Sequence, residues 1–141
     1  MSPKEYLQQV ARAERELKTL RLRVQHYESM GFSITSRTGN GPIQASTPHS
    51  KVENAAIGIV DTLRDIEAQI RAYTVTVNEA EKLIKKVPQE NYRRILTLRY
   101  LCGMSFRSVS DEMQYTDRNS IYRAHGYALL EFGKVMRNAK G

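Results

Sequence analysis

One cysteine, no tryptophan and four prolines in 141 residues exclude several classes of protein at once. The lone thiol, Cys102, has no internal disulfide partner and suits a reducing cytoplasm. His26, His49 and His125 are scattered, so no zinc-ligand spacing exists. No apolar run approaches the roughly 20 residues needed to span a bilayer, and Ser2 to Gln9 is too polar for a secretory leader. The expectations are no membrane, no metal, no cofactor and a cytoplasmic location. Glycine-rich phosphate loops, a nucleophile elbow and paired catalytic carboxylates are also missing. Asp61 with Asp65, and Asp111 with Glu112, read as solvated helix faces. The chain is not expected to be an enzyme, and no catalytic residue is assigned.

Positive charge is in excess. Twenty-two Lys and Arg oppose fifteen Asp and Glu, for a net +7. Residues 89–141 hold +4 of it and residues 1–50 hold +3, while 51–88 are neutral. A basic surface gains affinity for phosphates by releasing their counterions, so this balance supports a nucleic-acid partner.

Scarce proline leaves room for long helices. Ser2-Pro3-Lys4-Glu5 joins a capping serine, a first-turn proline and a glutamate three residues past the cap. Apolar residues follow at Tyr6, Val10, Ala13, Leu17, Leu20, Val24 and Tyr27, until Gly31 closes the helix. Ser50-Lys51-Val52-Glu53 repeats the capping signal. A second series then steps through Val52, Ala56, Ile59, Leu63, Ile66, Ile70, Tyr73, Val77, Ala80, Ile84 and Val87. Alternating steps of four and three indicate a coiled-coil seam. The expected fold class is therefore all-α: a long helical hairpin over 1–87, then a separate domain over 88–141.

The linker expected at 31–50 holds Gly39-Asn40-Gly41-Pro42, a turn signal, and seven Ser/Thr. It reads as a flexible link; a role for Arg37 in touching DNA or polymerase has no support in the sequence. At about 1.5 Å per residue the first helix runs about 42 Å and the second about 55 Å. If the two pair from the loop end, the stripe next to Pro88 stays uncovered. It must meet the carboxyl-terminal domain or a second copy of the chain. A narrow two-position stripe favours the second copy, hence a homo-oligomer with a dimer preferred; a monomeric hairpin core is the plainer alternative. The β-branched run Thr74–Val77 weakens the long helix and allows a bend there.

Residues 88–141 read as three short helices. Val87 to Tyr100 forms the first, opened by Pro88 and stopped by Gly103. Ser105 to Met113 forms the second, Gln114-Tyr115-Thr116 is a polar turn, and the third runs from Asp117 toward Met136 with a fraying tail from Arg137. This is the layout of a helix-turn-helix, which sets its last helix in a DNA major groove. Ile121, His125, Ala128, Phe132 and Val135 form the inner stripe, with His125 a hydrogen-bonded core residue. Cys102 is expected to be buried. Thr116 or Asp117 caps the third helix.

Arg118, Asn119, Ser120, Tyr122 and Arg123 are the candidate base-reading residues, because Arg and Asn make paired hydrogen bonds to guanine and adenine edges. Tyr122 can pack on a thymine methyl or bond a phosphate. Ser105, Arg107, Thr116 and Lys134 are the candidate phosphate contacts, which makes double-stranded DNA the expected partner. Gly126 lowers helix propensity by about 1 kcal/mol relative to Ala, so it calls for a reason. Close approach to DNA and packing on another helix serve equally. An ordinary three-helix bundle with a solvated basic face is the bland alternative to the whole reading.

Pro88, Ile95-Leu96-Thr97-Leu98-Arg99-Tyr100 and Gly103-Met104-Ser105-Phe106 resemble region four of bacterial sigma factors, which reads promoter −35 elements. Tyr115 through Leu129 more closely resembles phage late-gene transcription regulators of the ArpU and RinA type. Residue-level similarity covers about the last fifty positions; similarity of layout covers the whole chain. The resemblance implies a sequence-specific activator of phage late packaging and lysis genes in a bacterial host cell, with host RNA polymerase as a second partner. Two departures stand out. Ser105 to Ile121 is one residue longer than the sigma pattern, and Gln114 or Tyr115 occupies the place of its turn glycine, where positive φ is uncommon for other residues.

Two readings from other classes accompany this one. A phage small-terminase subunit, which recognises DNA for packaging, also joins a helix-turn-helix to an oligomerising helical part. An interaction protein whose heptads carry its function would hold the basic end incidentally.

Overall fold

The computed structural model describes the backbone of residues 1–39 and 49–140 and the side chains of 1–30 and 53–140. Among the described residues the fold is all-helical, with no strand. Helix α1 is Pro3–Gly39, α2 is His49–Lys85 and α3 is Glu90–Leu96, which continues as a π-helical turn, Thr97–Leu101. Helix α4 is Phe106–Glu112 and α5 is Arg118–Lys140. No helix among the described residues is long and apolar enough to cross a membrane.

The start of α1 follows its sequence signals. Ser2 Oγ accepts a hydrogen bond from Glu5 N at 3.1 Å, and Ser2 O accepts one from Tyr6 N at 3.0 Å. Its end differs from expectation, because the helix runs through Gly31 to Gly39. One interior glycine costs about 1 kcal/mol, and no proline interrupts the chain between Pro3 and Pro42. Helix α2 begins at His49, so Ser50 falls inside it. The side chains of Ser50 and Arg37, and residues 40–48 of the expected turn and link, lie outside the described residues. Both long helices hold 37 residues, so the predicted difference in length is not found.

The chain divides into two compact units, one of Met1–Glu16 with Tyr73–Gly141 and one of Leu17–Ala72. That division does not follow the expected boundary at 87/88. In the 17–72 unit Leu17, Leu20 and Ile66 are buried, while Val24, Ile59, Leu63 and Ile70 are half-buried. Leu22, Ile57 and Val60 are exposed.

In the other unit the second seam is buried from Val77 through Ala80, Ile84 and Val87, with Tyr73 half-buried. Ile84 and Val87 share one core with Leu7, Leu96, Tyr100, Ala128, Phe132 and Val135. The stripe beside Pro88 is therefore covered within this chain and, contrary to expectation, leaves no uncovered seam there for a second copy. Tyr6 lies against Phe132 with ring centroids 5.8 Å apart. Gly133 is buried under Pro3, where an added Cβ would come within 3.1 Å of Pro3 Cγ.

Pro88 does not open a helix directly. Helix α2 stops at Lys85, because the residue before a proline is driven out of helical geometry. Val87 packs inward, and extended Gln89 (φ −85°, ψ 122°) precedes α3. Arg93 Nη1 donates to Val87 O at 2.7 Å and to Pro88 O at 2.9 Å, which ties the bend to α3. The π turn closes with Cys102 N donating to Thr97 O at 2.9 Å, and Gly103 ends it at φ 70°. Tyr100 and Leu101 take the inward positions there, so Cys102 is exposed, correcting the expectation that it is buried.

A second core beneath α4 and α5 comprises Ile95, Val109 and Ile121, with Phe106, Met113 and Tyr115 packed against it. The predicted inner stripe of α5 is buried at every position: Ile121, His125, Ala128, Phe132 and Val135. His125 Nε2 and Tyr100 Oη share a hydrogen bond of 2.7 Å. Instead of fraying from Arg137, α5 continues to Lys140, with both basic residues suiting the negative end of the helix dipole.

Candidate nucleic-acid interface

Local bonds set how α4 and α5 meet. Ser105 Oγ accepts from Ser108 N at 3.1 Å and lies 3.0 Å from Ser108 Oγ, so this hydroxyl caps α4. The carboxyl end closes with Tyr115 N donating to Ser110 O at 3.0 Å and Gln114 N donating to Asp111 O at 3.2 Å. This is the paired-bond helix stop that usually places glycine in the left-handed position. Here Gln114 occupies it at φ 59°. The missing turn glycine is thus located, and Tyr115 anchors the turn by packing on the core of Val109 and Ile121.

Helix α5 starts at a capped end. Asp117 Oδ1 accepts from Asn119 N at 3.1 Å, and Asp117 O accepts from Ser120 N at 3.1 Å. Beyond the cap, Arg118, Asn119, Tyr122 and Arg123 are exposed, while Ser120 is half-buried. Arg107 and Thr116 are exposed and line one depression with Arg118 and Tyr122. Ser105 is exposed too, but its hydroxyl is committed to the cap. Lys134 stands apart: it lies about 24 Å along α5 from Arg118 and pairs with Glu131 at 2.9 Å. Four of the nine predicted contacts therefore line one depression, Arg107, Thr116, Arg118 and Tyr122, while Asn119 and Arg123 are exposed on the first turns of α5 outside it.

The charge of the segment that forms this surface is balanced. Between Ser105 and Arg123, three arginines (Arg107, Arg118, Arg123) face three carboxylates (Asp111, Glu112, Asp117). Glu112 lies 3.9 Å from Arg94, and Asp117 lies 3.8 Å from Arg123. Both side chains of the latter pair are more than half exposed (58% and 70%), so water screens it and Arg123 is free to exchange partners at little cost.

Gly126 is exposed, and an added Cβ there would meet nothing within 4 Å. Packing on another helix of the described chain does not account for it. Tyr127 (56% exposed) and Leu130 (63%) continue the same side of α5 as an apolar stretch that the sequence reading did not single out. Nor did it single out Lys4, Arg12, Arg15 and Arg99, which line a separate groove. Steps of eight and three along α1 already placed the first three on one helix side. What that side faces depends on long-range packing that spacing cannot reveal.

Among the described residues no group of three or more His, Cys, Asp or Glu could hold a metal ion. No protein-family model, curated protein or solved structure matches the chain.

Proposed function

We propose that this protein is a sequence-specific double-stranded-DNA-binding transcription regulator that reads its site with the first turns of α5, the second helix of a helix-turn-helix. One observation carries the reading: the buried stripe of α5 is fully committed to the core, while Arg118, Asn119, Tyr122 and Arg123 project to solvent from a capped helix start. Exposed Arg and Asn so placed match the hydrogen-bonding edges of guanine and adenine. Arg107 and Thr116, on the rim of the same depression, supply phosphate contacts that set orientation. Gly126 leaves bare backbone on the same helix, where the groove floor can approach closely.

The resemblance to sigma region four and to ArpU and RinA regulators gives the reading its direction. The protein activates phage late genes in the cytoplasm of a bacterial host and touches host RNA polymerase. Selection of bound sequences from a random duplex pool, with particle mass measured on the same sample, tests this. A recoverable site and a low oligomer are expected, and Arg118→Ala or Arg123→Ala should each cost about 1–3 kcal/mol and relax preference at one position. No enrichment, or undiminished affinity and preference in both variants, refutes the reading. A closed ring of many copies would point instead to a DNA-packaging subunit.

A further inference from the structure

The segment from Ser105 to Arg123 carries no net charge, and the groove beside it supplies what that segment lacks. A duplex is a dense line of negative charge, and affinity for it comes mainly from neutralising phosphates. Three arginines set against three carboxylates supply little of that. Four basic side chains of this unit, Lys4, Arg12 and Arg15 of α1 and Arg99, line an open groove of about 620 Å³, and no carboxylate lines it. Glu5, Glu14 and Glu16, the nearby acids of α1, are absent from its walls.

Two features tie this groove to the reading surface. Tyr122 lines both depressions, and its ring packs on Phe106 at 5.2 Å, so the two share one aromatic wall. Arg99 is held in place, with Nη1 donating to Met104 O at 2.9 Å and Cζ lying 4.1 Å from the Phe106 ring centroid. Along α1, Lys4 to Arg15 spans about 16 Å, room for several successive phosphates of one strand. Lys4 and Arg12 are exposed.

We infer that the groove of Lys4, Arg12, Arg15 and Arg99 is a phosphate track that grips the backbone of the duplex whose bases α5 reads. The inference rests on the DNA-binding reading and adds that the salt-dependent, sequence-independent part of affinity comes from α1 with Arg99, while the base contacts of α5 supply sequence preference.

Full-length protein and a mixed-sequence duplex, followed by fluorescence anisotropy over a potassium chloride series, test it. Lys4→Gln with Arg12→Gln removes two phosphate contacts and should lower the slope of log affinity against log salt by about 1.8, equally for every DNA sequence. The charge-matched variant Lys82→Gln with Lys86→Gln, whose residues do not line the groove, should keep the parent slope. Lys4→Arg with Arg12→Lys should keep it too, and unchanged helical circular dichroism checks the fold of each. A parent slope in the glutamine pair, an equal drop in the charge-matched control, or an equal drop in the charge-preserving swap overturns the track. Loss of preference in Arg118→Ala with an intact slope in the Lys4/Arg12 variant would overturn the track and leave the reading standing. A parent protein that ignores duplex at low salt overturns both.

Discussion

His125 offers the sharpest physical test of the fold. Its ring is 8% exposed, shares a 2.7 Å hydrogen bond with Tyr100 Oη and meets Phe106 edge-on at 4.8 Å. Burial, with Arg99 and Lys4 nearby, lowers its pKa from 6.5 to about 4. The unfolded chain takes up that proton near 6.5, whereas the native side chain resists it until about 4. Between those values the unfolded state binds more protons, so stability falls as pH falls. The contribution is fully present above 6.5 and is lost progressively toward 4. At 1.36 kcal/mol per pH unit, the loss is on the order of 3 kcal/mol, a large share of a small protein's stability. Urea unfolding at stepped pH should show it, and the same series on His125→Gln removes the effect of the carboxylates, which titrate in both proteins. The variant should be less stable at neutral pH, having lost packing and a hydrogen bond, but should show a flatter pH dependence. Parallel pH curves for the two proteins, or an imidazole that titrates near 6.5 by NMR in the folded protein, would refute the reasoning.

Three more outcomes are expected. Gln114→Gly relieves the left-handed strain at φ 59° and should stabilise the protein by about 1 kcal/mol, raising Tm by a few degrees in a thermal melt; an unchanged or lower Tm counts against the turn geometry. Gly126→Ala fills open space and should raise Tm through helix propensity while weakening duplex binding, because its methyl occupies the approach to the groove. A gain in stability with no loss of affinity would separate Gly126 from DNA. Cys102, being exposed, should react stoichiometrically with a thiol reagent in the native state, and protection until denaturation would contradict its placement.

Periodicity made much of this architecture legible. Every inner position assigned to α5 is buried, because a 3.6-residue repeat records which side of a helix meets the core. The caps at Ser2 and Asp117 followed from short-range chemistry in the same way, whereas Ser105, read as a phosphate contact, caps α4. Punctuation was read less well. Gly31 looked like a terminator, yet a single glycine is a small penalty for a long helix, and α1 runs on to Gly39. Pro88 looked like a first-turn proline, although its larger effect was to eject Val87 from α2. Cys102 was misjudged because a π turn shifts the register that predicts burial. The exposed cluster on α5 was visible as an outward helix side. The basic groove was not, since it brings residue 4 beside residue 122 and no local pattern encodes that distance.

The first turns of α1 complete the core that α3 and α5 build, with Leu7 packed among Leu96, Ala128 and Phe132, and Pro3 seated on Gly133. Closing this core joins residues more than a hundred positions apart, the kind of pairing that slows folding because a long loop must close first. On the ribosome, α1 is made well before α5 and must wait for it before either is buried. A nascent chain halted before α5 therefore displays an unsatisfied apolar patch on α1, and a fragment beginning at residue 88 lacks the lid that its own Phe132 requires.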